Sequence, residues 1–113
     1  MKKAEKLCAD MPESIKEHAI ELAENVFFME GKLIETRNGL ANQQVVIAYD
    51  NGGGQKGIRK NPIFEGYNQL MANYRKTLEQ LVALLREYGK VNDTKESPLA
   101  ALLAEADAIL AHD

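Results

Sequence analysis

Asn61-Pro62-Ile63-Phe64-Glu65-Gly66-Tyr67-Asn68-Gln69-Leu70-Met71-Ala72-Asn73-Tyr74-Arg75-Lys76-Thr77-Leu78-Glu79-Gln80-Leu81-Val82-Ala83-Leu84-Leu85-Arg86-Glu87-Tyr88 carries the strongest structural signal in this chain. Asn caps free amides, and Pro at the first helical position loses no hydrogen bond and already has a helical φ, so Asn61-Pro62 marks a helix start. Phe64, Tyr67, Met71, Tyr74, Leu78, Leu81, Leu85 and Tyr88 then recur at alternating steps of three and four, ending at Gly89. That spacing predicts one helix over 62–88, roughly 40 Å long, with a coiled-coil-like seam of three heptads. Leu70, Val82 and Leu84 lie beside or opposite the seam, so the helix carries more apolar surface than one partner helix covers. Tyr67, Met71, Tyr74, Leu78, Leu81 and Leu85 are therefore the expected oligomerisation residues. The heptad spacing assigns the tyrosines to a core or subunit interface, although tyrosines can also stack on bases.

Upstream, Gln44-Val45-Val46-Ile47-Ala48-Tyr49 is rich in β-branched residues and too short for a useful helix. It reads as an extended segment or short strand with no obvious sheet partner. Asn51-Gly52-Gly53-Gly54 adds a flexible turn, and the basic run Lys56-Gly57-Ile58-Arg59-Lys60 leads to Asn61. The whole of 44–61 is thus an extended, glycine-rich, basic connection. Gly52-Gly53-Gly54-Gln55-Lys56-Gly57 fits the spacing of a dinucleotide-binding loop, but no helix opens on the glycines and no second parallel strand follows. Lys56 is followed by Gly57 instead of Ser or Thr, which excludes a Walker A loop.

Further toward the N-terminus, Asp10-Met11-Pro12-Glu13 has the residues of a helix start, with Asp10 as the expected cap and Glu13 closing a capping box. Ile15, Ala19, Leu22, Val26, Met29 and Leu33 form the apolar stripe of a helix over 12–38, widened by Ile20, Ala23, Phe27 and Ile34. Asn38-Gly39 is the expected terminator. Residues 1–11 form an N-terminal segment or short helix. Beyond Gly89, Lys90 to Glu96 is a polar linker, and Ser97-Pro98 opens a last helix over 97–111 with Leu99, Leu102, Leu103, Ala106, Ile109 and Leu110 on one face. The expected fold is a mainly α single domain: a long helical hairpin with an extended glycine-rich connection, a short C-terminal helix, and assembly into a ring.

With 113 residues, the chain has room for one modest core. No apolar run is long enough for a signal peptide or a membrane span, so the expectation is a cytosolic protein without a membrane partner. Cys8 is the only cysteine, which excludes an internal disulfide and a cysteine-rich metal framework. His18 stands near Glu17 and Glu21, but charged residues on a helix are ordinarily a solvated face. No convergent ligand set or catalytic constellation is evident. No metal, no cofactor and no enzymatic activity are expected.

The net charge of −3 does not by itself suggest a nucleic-acid protein, but the charge is segregated. Residues 52–76 contain Lys56, Arg59, Lys60, Arg75 and Lys76 against Glu65 alone, a local excess of +4 in an acidic chain. Lys56, Arg59 and Lys60 are the primary candidates for phosphate contact, helped by neighbouring backbone amides and by the dipole of the helix that starts at Pro62. Lys2, Lys3 and Lys6 come next.

Tyr49 through Pro62, followed by a helix with Phe64, Tyr67 and Leu70, resembles the centre of phage terminase small subunits, where a glycine-containing link leads to an Asn-Pro helix start and a long oligomerising helix. The resemblance covers roughly residues 13–90. It implies a non-catalytic ring that binds double-stranded viral DNA and delivers it to the large subunit carrying ATPase and nuclease, in the cytoplasm of a bacterial host. Longer members continue into a Thr-Pro or Ser-Pro turn with arginines; here Leu99-Ala100-Ala101-Leu102 follows Ser97-Pro98, which removes the basis for a C-terminal DNA contact. The alternative expectation is a helical oligomeric scaffold or adaptor without nucleic-acid binding, which the acidic composition favours.

Overall fold

A computed structural model describes residues 2–44, 46–50, 56–88 and 97–111. In chain order these form α1 (Lys3–Leu7), α2 (Glu13–Leu40), β1 (Val46–Asp50), β2 (Lys56–Lys60), α3 (Pro62–Tyr88) and α4 (Pro98–Leu110). The protein is mainly helical, and its body is the hairpin of α2 and α3. Gly89, the linker 90–96 and the glycine turn 51–55 lie outside the described residues.

Helix α2 begins without the expected side-chain cap. Pro12 takes the N-cap position, and its carbonyl accepts from the amides of Ile15 at 3.1 Å and Lys16 at 2.9 Å. Asp10 is displaced from the cap because Met11 and Cys8 are buried, closing a turn in which the Met11 amide donates to the Cys8 carbonyl at 3.1 Å. At the other end α2 runs past Asn38-Gly39 to Leu40. Helix α4 starts as its sequence suggests: the Ser97 hydroxyl accepts from the Ala100 amide at 3.1 Å, with Pro98 in the first turn.

The seam of α3 closes against α2 of the same chain. Met71, Tyr74, Leu78, Leu81 and Leu85 are all buried, meeting Ala19, Leu22, Ala23, Val26 and Leu33, while Leu99, Leu102, Ala106 and Ile109 of α4 complete the core. This corrects the assignment of Met71, Tyr74, Leu78, Leu81 and Leu85 to a subunit interface. An antiparallel return of comparable length covers a heptad seam as well as a second chain would. Tyr67 is half-buried and also engaged within the chain: its hydroxyl accepts from Arg37 Nη2 at 2.8 Å and Nε at 3.2 Å.

Two polar nodes fix the helices relative to one another. In the first, the Tyr74 hydroxyl donates to Glu30 Oε2 at 2.8 Å inside the core. Glu105 of α4 approaches the same carboxyl group, and its Oε1 pairs with Lys3 Nζ of α1 at 2.6 Å. Lys3 also stands 4.2 Å from the centre of the Phe27 ring, so side chains from all four helices converge here. In the second node Arg37 joins Tyr67 to the Ile109 carbonyl, 2.8 Å from its Nη2, and so ties the last turn of α4 to the hairpin. The pairs 30/74 and 37/67 make α2 and α3 antiparallel, while the order of 105 and 109 along α2 makes α4 parallel to it.

Stability follows from these contacts in a testable way. Leu78→Asp with Leu81→Asp should abolish the helical circular dichroism signal instead of releasing folded monomers, since each carboxylate would enter the chain's own core. The Glu30 carboxyl is held above its ordinary range, first by burial and further by Glu105. A raised folded-state pKa means that the native protein holds the proton more tightly than the unfolded chain, so this contribution is present at acid pH and lost as pH rises through the folded value. Glu30→Gln keeps an acceptor for Tyr74 and supplies a donor to the otherwise unpartnered buried Glu105 Oε2. It should stabilise the protein at pH 8 by on the order of 1 kcal/mol. The gain should shrink towards pH 4 in paired thermal melts; a constant difference across that range would contradict the assignment.

Candidate nucleic-acid interface

The basic connection is a two-stranded antiparallel ribbon. Val46 pairs with Lys60, Ile47 with Arg59, Ala48 with Ile58, Tyr49 with Gly57 and Asp50 with Lys56. The strand partner that Gln44–Tyr49 lacked in the sequence is therefore the basic run itself. Antiparallel strands need only a short connection between them, so neighbours in the chain can pair in this way. Lys56–Lys60 conceals its strand character because three cations and a glycine interrupt any apolar alternation.

Asn61 anchors the base of this ribbon. Its Nδ2 donates to the Gln44 carbonyl at 2.9 Å and to Gln43 Oε1 at 3.2 Å, joining the exit of β2 to the entry of β1. Its Oδ1 accepts from the Ile63 amide at 3.2 Å, the helix cap expected from the sequence. One buried amide side chain therefore closes the ribbon and starts α3. Sequence reasoning found the cap but missed Gln43 and Gln44, whose only signal was their mirror placement across the connection.

The ribbon stands away from the helices. Among the described residues it makes no extensive contact with any of them, and the molecule measures 64 × 27 × 23 Å. A 28-residue helix accounts for roughly 42 Å of that length. The remainder matches a five-residue strand at roughly 17 Å. The radius of gyration, 18.9 Å, also exceeds the roughly 13 Å of a compact chain of this length. A rod with a basic ribbon at one end is the resulting shape.

Lys56, Arg59 and Lys60 all fall on β2, with Lys60 exposed at its end; the side chains of Lys56 and Arg59 lie outside the described residues. Lys2, Lys3 and Lys6 are not brought to the ribbon. They belong to the α1 region, where Lys3 meets Phe27, and Phe27 is roughly 20 Å along α2 from the end that leads into the ribbon. Lys3 is further committed to Glu105, leaving Lys2 and Lys6 as the cations there without an ion pair among the described residues.

The first amides of α3 are also occupied. Ile63 donates to the Asn61 side chain and Phe64 to the Asn61 carbonyl at 3.2 Å, while Pro62 has no amide proton. The Ile63 and Phe64 amides at the start of α3 are therefore bonded within the chain. His18 is exposed on α2, and among the described residues no group of three or more His, Cys, Asp and Glu side chains is placed to hold a metal. No described helix is long and apolar enough to cross a membrane.

Compared with protein-family models, curated proteins and solved structures, the chain matches none of them.

Proposed function

We propose that this protein is a non-catalytic DNA-binding subunit that self-associates, and that it acts as the small subunit of a phage or prophage terminase. In that role it binds double-stranded viral DNA and recruits or regulates the large ATPase/nuclease subunit in the cytoplasm of a bacterial host. The observation that carries the reading is the basic strand Lys56–Lys60 on a ribbon held clear of the helical body. A two-stranded ribbon fits the major groove of B-DNA, roughly 12 Å wide, and needs no helix-turn-helix. An otherwise acidic protein would concentrate its phosphate contacts there, and assembly would repeat them once per subunit, so weak contacts add through multivalency.

The main competing reading is a scaffold or adaptor without DNA, favoured by the 65% exposure of Phe28 on an acidic helix. The two readings separate on DNA. Lys56→Ala, Arg59→Ala and Lys60→Ala together should weaken binding and flatten its salt dependence, with the slope of log K against log salt becoming shallower by about 0.9 for each phosphate no longer neutralised. The helical signal and assembly state should persist, because the ribbon stands outside the core. A fluorescence-anisotropy titration across salt concentrations provides the check. An unchanged slope would move the site to Lys2 and Lys6; absence of binding by the wild type to generic and phage DNA at low salt would leave the scaffold reading.

A further inference from the structure

Two features of the helical body are open to solvent. Phe28 projects from the solvent face of α2, 65% exposed and opposite the stripe that faces the core. Roughly 100° away around the same helix, a cavity of about 170 Å³ opens between α1, α2 and α4. Its apolar wall is formed by Leu7, Phe27, Pro98, Ala101 and Leu102. Lys3, Lys6 and Glu105 complete the lining; a cavity of about 150 Å³ accepts a benzene ring, so this one matches a phenylalanine ring in volume.

The charges around the two features are complementary. Glu17, Glu21 and Glu24 lead up to Phe28 at steps of four, three and four, sharing its face of α2, and none has an ion-pair partner among the described residues. Like charges so spaced repel one another along a helix, and cations from outside would relieve that. Lys32, near the Phe28 ring, is already paired with Glu35 at 3.3 Å. At the cavity Lys6 is exposed and without an ion-pair partner among the described residues, and Lys2 lies nearby in sequence.

We propose that a second copy of this chain fills the cavity: Phe28 of one protomer inserts between α1, α2 and α4 of the next, with its glutamates facing Lys2 and Lys6. The knob and the hole are different surfaces, so the contact is heterologous and each protomer can engage two neighbours. Because Phe28 and Phe27 are consecutive on α2, the two surfaces lie at one level along the rod. A head-to-tail contact of this kind generates a ring where the rotation between copies closes and a filament where it does not. The inference rests on the self-associating part of the function proposed above and identifies the surface responsible.

Phe28→Asp removes the knob, and Ala101→Phe fills the hole from within. Both positions are exposed, so circular dichroism should match the wild type; Phe28→Ser serves as a second knob variant if Phe28→Asp fails to fold. In sedimentation velocity the wild type should assemble, and each variant alone should run near the monomer mass of 12.6 kDa, with association weakened at least about 30-fold. An equimolar mixture of the two should form a heterodimer and stop there, since one intact knob and one intact hole remain between them. Assembly of either variant as in the wild type, or a mixture that stays monomeric, overturns the knob-and-hole contact while leaving DNA binding and self-association through another surface intact. A monomeric wild type at tens of micromolar overturns the assembly itself, and the anisotropy titration still reads the ribbon separately.

Discussion

The hydrogen bond from Tyr74 to Glu30 sits where the fold is most constrained. It is the one place where a charged residue occupies the core stripe of α2, and the low dielectric there makes an unpaired carboxyl costly. Tyr74 answers from α3, Glu105 approaches from α4, and Lys3 of α1 holds Glu105 from outside. The register of the hairpin and the seat of the short last helix both follow from satisfying these groups. Apolar packing alone would allow α4, with only 13 residues, to slide along the groove; the carboxyl pair and the Arg37 contact with the Ile109 carbonyl specify one position.

With the hairpin fixed, its far end is free to present the ribbon. An isolated pair of five-residue strands is marginal in water, so its geometry depends on what holds its base. Asn61 does this by bonding across the entry and exit while capping α3, which makes the start of the helix and the closure of the ribbon one event. Lys56, paired across the strands with Asp50, is thereby separated from the acidic body by the length of the strands, whereas Lys60 lies at the base beside Asn61. Coulomb interactions through water fade over roughly 10 Å at moderate salt, so an anion at the tip is affected chiefly by the ribbon's own charges.

The rest of the body divides its surface by sign. Carboxylates line the outer face of α2, while lysines gather on α1 beside an apolar cavity. Lys3 pairs with Glu105 at the edge of the four-helix node, whereas Lys2 and Lys6 have no ion pair among the described residues. The short N-terminal helix therefore links core and surface: Ala4 and Cys8 bury it, and its lysines set the potential around the cavity.

Local sequence was enough to specify the helices. Heptad spacing, the Asn-Pro and Ser-Pro starts and the β-branched run at 44–49 act through local propensity and period, which is why α3 falls on Pro62–Tyr88 and why Val46–Asp50 is extended. What those elements meet was settled by packing in three dimensions. A heptad seam reads the same whether its partner is another chain or an earlier helix of its own, and only the return of α2 placed Met71, Tyr74, Leu78, Leu81 and Leu85 inside the monomer. Glu30 and Glu105 carry no sequence mark separating them from solvated carboxylates, since their meeting depends on three helices packing at once. The partnership of Gln43, Gln44 and Asn61, and the pairing of a basic run with a β-branched one, likewise depend on hydrogen bonds between residues distant in the chain, which local propensity does not encode.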